Sequence, residues 1–278
     1  MEWITRLNCA INYIEEHLTD KVEYDELAKI ACCSTYHLQR MFAYMADVPL
    51  SEYIRRRRMS RAAVDLQNNK IVDVALKYGY ESPTAFNRAF QSVHGIAPSL
   101  IKSDGIQIRA FPPISFTITI KGAEKMEYRI EQKNSFRIVG ISEQLEKEIE
   151  KNFEIVPKMW EKASVDGTIP KLVSMMDSQP IGMLGVCCSS ENWKYFIAVS
   201  SSQSIDDTIE ECQVRASIWA IFSGSGTAQS IQELQKRVLT EWLPTSGYEY
   251  GNAPDIEVYI NPDPQNSQYE VWVPVIKK

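Results

Sequence analysis

Two stretches of the chain carry the same arrangement of residue types, and both could present side chains that read DNA bases. Residues 34–42 read Ser-Thr-Tyr-His-Leu-Gln-Arg-Met-Phe, and residues 82–90 read Ser-Pro-Thr-Ala-Phe-Asn-Arg-Ala-Phe. In each, a serine that can cap a helix precedes apolar residues four and eight positions later, which leaves another helix face polar. Glutamine, asparagine and arginine form bidentate hydrogen bonds to adenine and guanine edges. The predicted DNA-contacting residues are Tyr36, His37, Gln39, Arg40, Thr84, Asn87 and Arg88.

The surrounding sequence predicts the helices that would position these two segments. Apolar residues recur with a helical period before each segment and between them, which indicates two helix-turn-helix units and a connecting helix. Gly79 offers a left-handed helix stop, and Ser82 followed by Pro83 is a cap with proline at the first helical position. The predicted helices are Trp3–Leu18, Asp25–Ala31, a long helix capped by Ser51 that runs to Gln67, and Ile71–Tyr78.

The charge distribution favours DNA binding by the first part of the chain only. The formal net charge is -6, yet residues 1–108 contain 5 Lys and 8 Arg against 6 Asp and 7 Glu, so the acidic excess lies in the remainder. Basic residues of the first part are densest at Arg55–Arg58 and Arg61. This run could face DNA phosphates, and the alternative is an ordinary solvated helix face.

Composition limits the other possibilities. A chain of 278 residues with 44% hydrophobic residues can bury a sizeable core and predicts two domains. The six cysteines show no CxxC or histidine-rich spacing, so neither a zinc site nor a disulfide framework is predicted, and we expect no metal and no cofactor. No apolar run is long enough to span a bilayer and the N-terminus does not read as a secretion signal, so we expect a cytoplasmic protein without a membrane partner.

A set of residues in the first part has a spacing that is distinctive as a whole. The set comprises Leu27, Ala28, Ser34, Leu38, Arg40, Phe42, Tyr53, Arg57, Ala62, Ile71, Val74, Ala75, Gly79, Tyr80, Ser82, Phe86, Arg88, Phe90, Gly95 and Pro98. In this pattern residues 5–102 resemble the DNA-binding domain of the AraC/XylS family of transcription regulators, most closely its small multidrug and stress-response members. One departure is Asp47, where the family usually has glycine and the backbone is expected to be left-handed.

The family resemblance implies how the two segments would meet DNA. Both recognition helices would enter successive major-groove segments on one face of the duplex, about 34 Å apart. The two copies are chemically unequal, since Gln39 and Arg40 have a longer reach than Thr84 and Asn87. We therefore predict an asymmetric DNA site rather than a palindrome, with Arg40 contributing more to sequence discrimination than Arg88.

Strand-like patterns replace helical periods after residue 102. Alternating apolar and polar residues predict strands, and two longer amphipathic stretches predict helices. The predicted strands are Phe116–Lys121, Tyr128–Glu131, Phe136–Ile141, Ile181–Cys188, Tyr195–Val199, Glu211–Phe222, Ile256–Ile260 and Tyr269–Val275, and the predicted helices are Ile149–Ala163 and Ile231–Leu243. Because the order strand, helix, strand, strand occurs twice, an internal duplication is predicted.

Several segments of the second half, taken in order, are similar to the GyrI-like effector-binding domain. They are Phe136 to Ser142, Val156 to Trp160, Ala216 to Phe222, Glu241 to Tyr248 and the ending Tyr-Glu-Val-Trp-Val-Pro-Val. The resemblance covers residues 125–276. It implies two strand-helix-strand-strand units around a cleft that accepts small, often lipophilic and cationic molecules, with a glutamate inside.

Side-chain alternation along two strands leads to a similar site. Glu270 and Trp272 share one face of their strand, and Glu257 and Tyr259 share one face of theirs. If the strands pair, acid and aromatic groups would line one surface and bind an organic cation, whereas the alternative is a solvated outer face. Further candidates for the lining, each with a core position as its alternative, are Trp160, Tyr195 and Trp219.

These patterns together predict a multidomain protein of α and α+β class. The expected domains are 1–104, an AraC-type DNA-binding domain, then 105–124, a linker with a first strand, and 125–278, a GyrI-like effector-binding domain. The function indicated is a sequence-specific transcription regulator in multidrug response, not an enzyme, with double-stranded DNA, a small-molecule effector and RNA polymerase as candidate partners. The alternatives are a hydrolase of reactive small molecules, with Glu270 as general base, and a protein-binding module without a ligand.

Overall fold

Helices form the first part of the chain, and an antiparallel sheet with flanking helices forms the second. The structure is a computed structural model that describes residues 2–103, 105–117, 125–146, 149–189, 193–261 and 266–277. Contacts between residues separate the chain into two units, one made of residues 2–117 and the other of the residues that follow. The predicted fold class is confirmed. Among the residues described, no helix is long and apolar enough to cross a membrane.

The first unit contains two helix-turn-helix units joined by a long helix. Its helices are α1 Glu2–Glu16, α2 Tyr24–Ala31, α3 Thr35–Ala46, α4 Leu50–Asp65, α5 Ile71–Lys77 and α6 Pro83–His94, followed by a 3-10 turn at Pro98–Lys102. The connecting helix α4 packs its predicted core residues Met59, Ala62 and Ala63 in one buried cluster with Phe86 and Phe90 of α6. These helices agree with the sequence-based prediction to within a few residues.

Local capping rules account for most helix ends. The Ser34 hydroxyl accepts a hydrogen bond from the His37 amide at 3.2 Å, and the Ser82 hydroxyl accepts one from the Ala85 amide at 3.1 Å. Gly79 has φ +77°, and Asp47, which ends α3, has φ 52°. Both left-handed conformations were expected. One prediction was wrong: α4 begins at Leu50 after Pro49, so Ser51 lies inside the helix rather than capping it.

Two arginines of the run on α4, Arg57 and Arg58, bind other parts of the first unit, whereas Arg55 and Arg56 pair with Glu52 of α4 itself. Arg57 donates two hydrogen bonds to the Glu15 carboxylate, at 2.7 and 2.6 Å, and one to the Phe111 carbonyl. Arg58 donates to the Leu18 carbonyl at 2.9 Å. Burial alone would raise the pKa of Glu15, but the hydrogen bonds from Arg57 and Tyr53 outweigh it and hold this pKa below its ordinary value. For the buried Arg57, both the phosphate-facing and the solvated interpretations are therefore wrong, and for the half-buried Arg58 they stay predictions.

The segment after the 3-10 turn also belongs to the first unit. The Asn8 side chain donates to the Phe116 carbonyl at 2.9 Å and accepts from the Phe116 amide at 2.8 Å, while the Phe116 ring packs edge-on against Phe42. The Phe111 amide donates to the Ser60 hydroxyl at 3.0 Å. Residues 116 and 117 therefore do not begin a strand, and the rest of the strand predicted up to Lys121 lies outside the described residues. Of the predicted linker 105–124, residues 105–117 are part of the first unit.

A nine-stranded antiparallel sheet forms the frame of the second unit. Its strands are β1 Tyr128–Lys133, β2 Phe136–Gln144, β3 Met183–Ser189, β4 Trp193–Ser200, β5 Glu210–Val214, β6 Ser217–Gly226, β7 Tyr248–Tyr250, β8 Ile256–Tyr259 and β9 Ser267–Lys277. Its helices are α7 Ile149–Val165, α8 Thr168–Met175 and α9 Ala228–Arg237, the last continued by a π-helical turn at Val238–Trp242. The strand order is β1-β6-β9-β8-β3-β4-β2-β5, and β7 pairs with β9.

The strand order makes the predicted duplication visible. Reading outward from the central β3–β8 pair, β4 and β2 follow on one side and β9 and β6 on the other, so the two halves match. The leading strand of each half pairs with the other half, β1 with β6 and β5 with β2. The predicted strand Glu211–Phe222 is in fact two strands separated at Arg215 and Ala216, and the predicted Ile181 start lies two residues before β3. Helix α8 and strand β7 were not predicted.

Candidate functional site

Strand register decides which predicted ligand residues meet. In the antiparallel β8–β9 pair, Glu257 lies opposite Val271, and Val258 lies opposite Glu270. Residues opposite one another point to the same side of a sheet, and neighbours along a strand point to opposite sides. Glu257 with Tyr259 and Glu270 with Trp272 therefore occupy opposite faces. The prediction that the two acidic and aromatic pairs share a surface is wrong.

Four of the predicted ligand residues do come together on one face. The Glu257 carboxylate accepts hydrogen bonds from the Gln235 side-chain amide at 2.6 Å and from the Tyr259 hydroxyl at 3.0 Å. The Trp160 indole N–H donates to the Tyr195 hydroxyl at 3.0 Å. The Trp160 and Tyr259 rings meet edge to face, with their centroids 5.0 Å apart. We refer to Trp160, Tyr195, Gln235, Glu257 and Tyr259 as the Glu257 cluster.

The central strand leaves room for this cluster because it has no side chain at one position. Gly185 of β3 lies opposite Glu257. A Cβ atom at Gly185 would lie 2.3 Å from the Tyr195 hydroxyl oxygen and 3.1 Å from Glu257 Oε2. The Tyr195 hydroxyl therefore lies directly over the backbone of β3, in the space that a side chain would fill.

Sequence reasoning did not find Gln235 or Gly185. Gln235 lies four residues after Ile231 and three before Val238, both buried, so it belongs to the inward stripe of its helix and is itself 4% exposed. A polar residue on an apolar stripe was a usable signal. No sequence signal marks Gly185, because it makes room for the cluster only through the pairing of β3 with β8.

Burial and charge determine what the Glu257 cluster can bind. Tyr195 and Gln235 are buried, whereas Trp160, Glu257 and Tyr259 are half-buried, so the acid and two aromatic rings lie nearer the surface. The two groups that donate to Glu257 in these hydrogen bonds, an amide and a phenol hydroxyl, are neutral. A partly desolvated carboxylate beside aromatic rings attracts an organic cation through Coulomb and cation–π interactions.

Glu270 has a different environment on the opposite face. Arg129 binds both carboxylate oxygens of Glu270, at 2.8 and 3.0 Å, and the Trp272 indole donates to the same carboxylate at 2.8 Å. The charge of Glu270 is therefore balanced by a guanidinium. Trp219 is fully buried against Trp272, with ring centroids 6.0 Å apart, in the main apolar core of this unit. Glu270, Trp272 and Trp219 therefore do not line the Glu257 cluster.

The predicted DNA-contacting residues lie on the two expected helices but differ in exposure. On α6, Thr84 and Arg88 are exposed and Asn87 is half-buried. On α3, Tyr36 is half-buried, and the other three side chains, His37, Gln39 and Arg40, are buried. The His37 ring hydrogen-bonds the Ser34 hydroxyl at 2.7 Å, and Arg40 donates to the Tyr44 hydroxyl at 3.3 Å. His37, Gln39 and Arg40 can contact bases only if their side chains become accessible, so their assignment as DNA-contacting residues stays a prediction.

Within the described ranges, no three or more acidic, histidine or cysteine side chains lie close enough together to hold a metal ion.

Comparison with known proteins assigns both parts of the chain. Residues 129–275 match the family model of the integron-associated effector binding protein, and residues 27–103 match a helix-turn-helix domain model. The transcriptional activator AarP of Providencia stuartii is 41% identical over 92 residues, which are 32% of this chain and 68% of AarP. The regulatory protein SoxS of Salmonella typhimurium is 38% identical over 91 residues, which are 32% of this chain and 85% of SoxS.

Solved structures resemble the second part of the chain more distantly. The structure of SAV2435 bound to tetraphenylphosphonium is 24% identical, has a TM-score of 0.48, and is aligned over 54% of this chain and 94% of its own. The family model at residues 129–275 spans more than half of the 278 residues and assigns the family of the second part. The two regulators, AarP and SoxS, assign the helical first part. The chain belongs to the integron-associated effector-binding family and carries an AraC-type helix-turn-helix domain, which makes it a DNA-binding transcription regulator with a C-terminal effector-binding domain.

Proposed function

We propose that the effector of this regulator is a lipophilic organic cation, that it binds at the Glu257 cluster, and that its binding changes the affinity of the helix-turn-helix domain for DNA. The observation that carries the proposal is the half-buried Glu257 carboxylate, held by two neutral donors beside Trp160 and Tyr259. The domain class supports an effector of some kind, and this carboxylate favours a cationic one.

Simple magnitudes favour a cation over a neutral ligand. A monocation about 4 Å from the carboxylate gains roughly 4 kcal/mol at an effective dielectric constant of about 20. A cation near an aromatic face gains about 0.5 to 2 kcal/mol more. Delocalised cations lose less hydration free energy on burial than compact ones, so a lipophilic cation retains more of this attraction. A compact, strongly hydrated cation would lose more hydration free energy and would therefore bind more weakly.

A titration that separates charge from shape tests the proposal. Tetraphenylphosphonium is a delocalised lipophilic monocation, and triphenylphosphine oxide is a neutral molecule with similar rings. We expect the phosphonium to change tryptophan emission and raise the melting temperature, since Trp160 lies in the cluster, and to bind at least tenfold more tightly than the oxide. Equal affinities for the two compounds would contradict a role for charge, and no response to either would contradict the site.

Gly185→Ala is expected to weaken phosphonium binding about tenfold, because the new Cβ would force the buried Tyr195 hydroxyl, and with it Trp160, out of position. The measurement is the same titration, together with the melting temperature. Gly251→Ala is the matched control, since its Cβ would lie 3.1 Å from the Pro274 backbone, and Pro274 shares the face of β9 that carries Trp272, opposite the cluster. If both variants bind the cation equally well, Gly185 does not shape the site.

For the DNA-binding domain, we expect Arg40→Ala to reduce discrimination between specific and nonspecific DNA more than Arg88→Ala does. Loss of one bidentate base contact reduces specific binding about tenfold, within the usual range of about 1 to 3 kcal/mol. Competition binding at fixed salt concentration, with specific and random duplexes, measures the ratio for each variant. Equal losses, or a larger loss for Arg88→Ala, would contradict the predicted weighting toward the first recognition helix.

The hydrolase alternative was predicted with Glu270 as its general base. Glu270 is bound by Arg129 and Trp272 on the face opposite the Glu257 cluster, so any hydrolysis at this cluster would need Glu257 instead. Turnover of an electrophilic cation that disappears in Glu257→Gln would favour an enzyme. If the second unit is instead a protein-binding module, a pull-down would capture a stable protein partner, and the ligand titrations would show no binding.

The location and further partners follow from the regulator proposal. A DNA-binding regulator acts where the DNA is, which in bacteria, the source of the relatives named above, is the cytoplasm. RNA polymerase stays a predicted partner. Adding polymerase to the DNA-binding measurements tests it, because a direct contact would raise the affinity for a promoter fragment.

A further inference from the structure

Two cysteines far apart in the sheet order have their sulfur atoms in contact. Cys188 lies on β3 and Cys212 on β5, and the two strands are separated by β4 and β2. Their Sγ atoms are 2.9 Å apart, so the two strands approach each other across the apolar core face. This separation exceeds a disulfide bond by only about 1 Å. A small movement of the two side chains would bring them to bonding distance.

The surroundings make this pair distinct from the other cysteines. Both side chains are half-buried and pack beside Phe136 against the core that contains Trp219 and Trp272. Cys187 is the neighbour of Cys188 along the strand and points to the opposite face. Among the described residues, no third metal ligand lies with these two sulfurs. The site is therefore suited to sulfur–sulfur chemistry between two thiols.

The two thiols are chemically unequal. The hydrogen bond with Cys212, together with burial, raises the pKa of the Cys188 thiol. The same contact lowers the pKa of the Cys212 thiol, so Cys212 is the sulfur that reaches the thiolate form more readily. The thiolate is the nucleophile in thiol oxidation, which makes Cys212 the attacking sulfur and Cys188 the resolving thiol.

We propose that Cys188 and Cys212 form a site of reversible oxidation, at which a hydroperoxide converts the two thiols to an intramolecular disulfide. The Cys212 thiolate attacks one peroxide oxygen and the O–O bond breaks. This gives a Cys212 sulfenic acid and, after protonation, water or an alcohol. The Cys188 sulfur then displaces hydroxide from the sulfenic acid, and the Cys188 proton leaves with it as water. Two thiols are oxidised by two electrons and one peroxide is reduced.

The disulfide would link strands that no backbone hydrogen bond joins directly. β3 carries Gly185 at the Glu257 cluster, three residues before Cys188, and β5 precedes the second half of the duplication. Closing the loop between the two cysteines restricts the unfolded chain, so oxidation stabilises the second unit. The pairing of the two sulfurs rests on their geometry and the choice of Cys212 as the attacking sulfur on its lowered pKa, and neither depends on the nature of the effector.

Peptide mapping of the full-length protein after treatment with hydrogen peroxide tests the proposal. We expect a Cys188–Cys212 cross-link that dithiothreitol reverses, and a rise in melting temperature of roughly 5 °C or more in the oxidised protein. Cys212→Ser abolishes both effects. Cys187→Ser, the matched control, keeps both.

Peptide mapping of the wild-type protein tests the proposal even if a substituted protein fails to fold. No Cys188–Cys212 cross-link, under conditions that oxidise the exposed Cys9 and Cys32, would overturn the proposal. A cross-link that uses Cys187 in place of Cys188 would also overturn it. So would an equal rise in melting temperature in Cys212→Ser.

Discussion

Glu257→Gln is expected to lower the affinity for the phosphonium cation about 30-fold or more, while affinity for the neutral phosphine oxide stays within about twofold. The substitution keeps the shape of the side chain and removes its charge. Losing one partner of a buried charge pair costs about 2 to 5 kcal/mol, and the lower end applies to this half-buried carboxylate, where 30-fold corresponds to about 2 kcal/mol. Tryptophan emission with both compounds, or calorimetry, measures the two affinities in the same preparation.

Glu270→Gln is the matched control for this result. It makes the same chemical change two strand positions before Trp272, on the opposite face of the sheet, where Arg129 balances the charge. We expect phosphonium affinity to change less than twofold. A reversed pattern, with binding lost in Glu270→Gln and kept in Glu257→Gln, would contradict the assignment of the site to the Glu257 face.

Arg57→Ala is expected to destabilise the helical unit by about 3 kcal/mol, since it leaves the Glu15 carboxylate without its guanidinium and removes a donor to the Phe111 carbonyl. Arg57 has 8% of its side-chain surface exposed and Glu15 has 19%, so water replaces these bonds only in part. Hydrogen exchange of amides in α1 and α4 measures the local loss. In Arg55→Ala, which breaks only an exposed ion pair with Glu52, we expect less than about 0.5 kcal/mol.

The same ion pair predicts an acid dependence. The pKa of Glu15 is lower in the folded protein than in the unfolded chain, so its contribution to stability is complete above the unfolded value. The contribution is lost as the pH falls through the folded value. Acid unfolding of Arg57→Ala should therefore depend less on pH in this range than that of the wild type. Parallel pH profiles for the two proteins would show that Glu15 and Arg57 do not stabilise each other.

Local chemistry was enough to predict the helical unit. Ser34 and Ser82 as caps, and left-handed Gly79 and Asp47, depend on neighbours a few residues away, which the sequence displays directly. Arg57 was different, because its partner Glu15 is 42 residues distant on another helix. A run of arginines looks the same in sequence whether it faces phosphates, water or an internal carboxylate.

Long-range register limited what could be predicted of the effector site. Alternation correctly placed Glu257 beside Tyr259 and Glu270 beside Trp272 within their strands. It could not tell which strand faces become continuous, because a shift of one residue in register exchanges the two faces. In the observed register Glu257 lies opposite Val271, which places Glu257 and Glu270 on opposite faces of the sheet. Gly185 became recognisable only once β3 was placed beside β8, whereas Gln235 could have been found as a polar residue on the apolar stripe of its helix.

The most direct test of the regulator account is DNA affinity measured with and without saturating phosphonium cation, at fixed salt, for the wild type and Glu257→Gln. Duplexes selected by the wild-type protein from a random pool supply the DNA. Coupling between two sites of one protein is typically about 5- to 150-fold, and we expect the cation to change wild-type affinity at least fivefold and that of Glu257→Gln less than twofold. Identical wild-type affinity with and without bound cation, or an equal change in both proteins, would contradict the account.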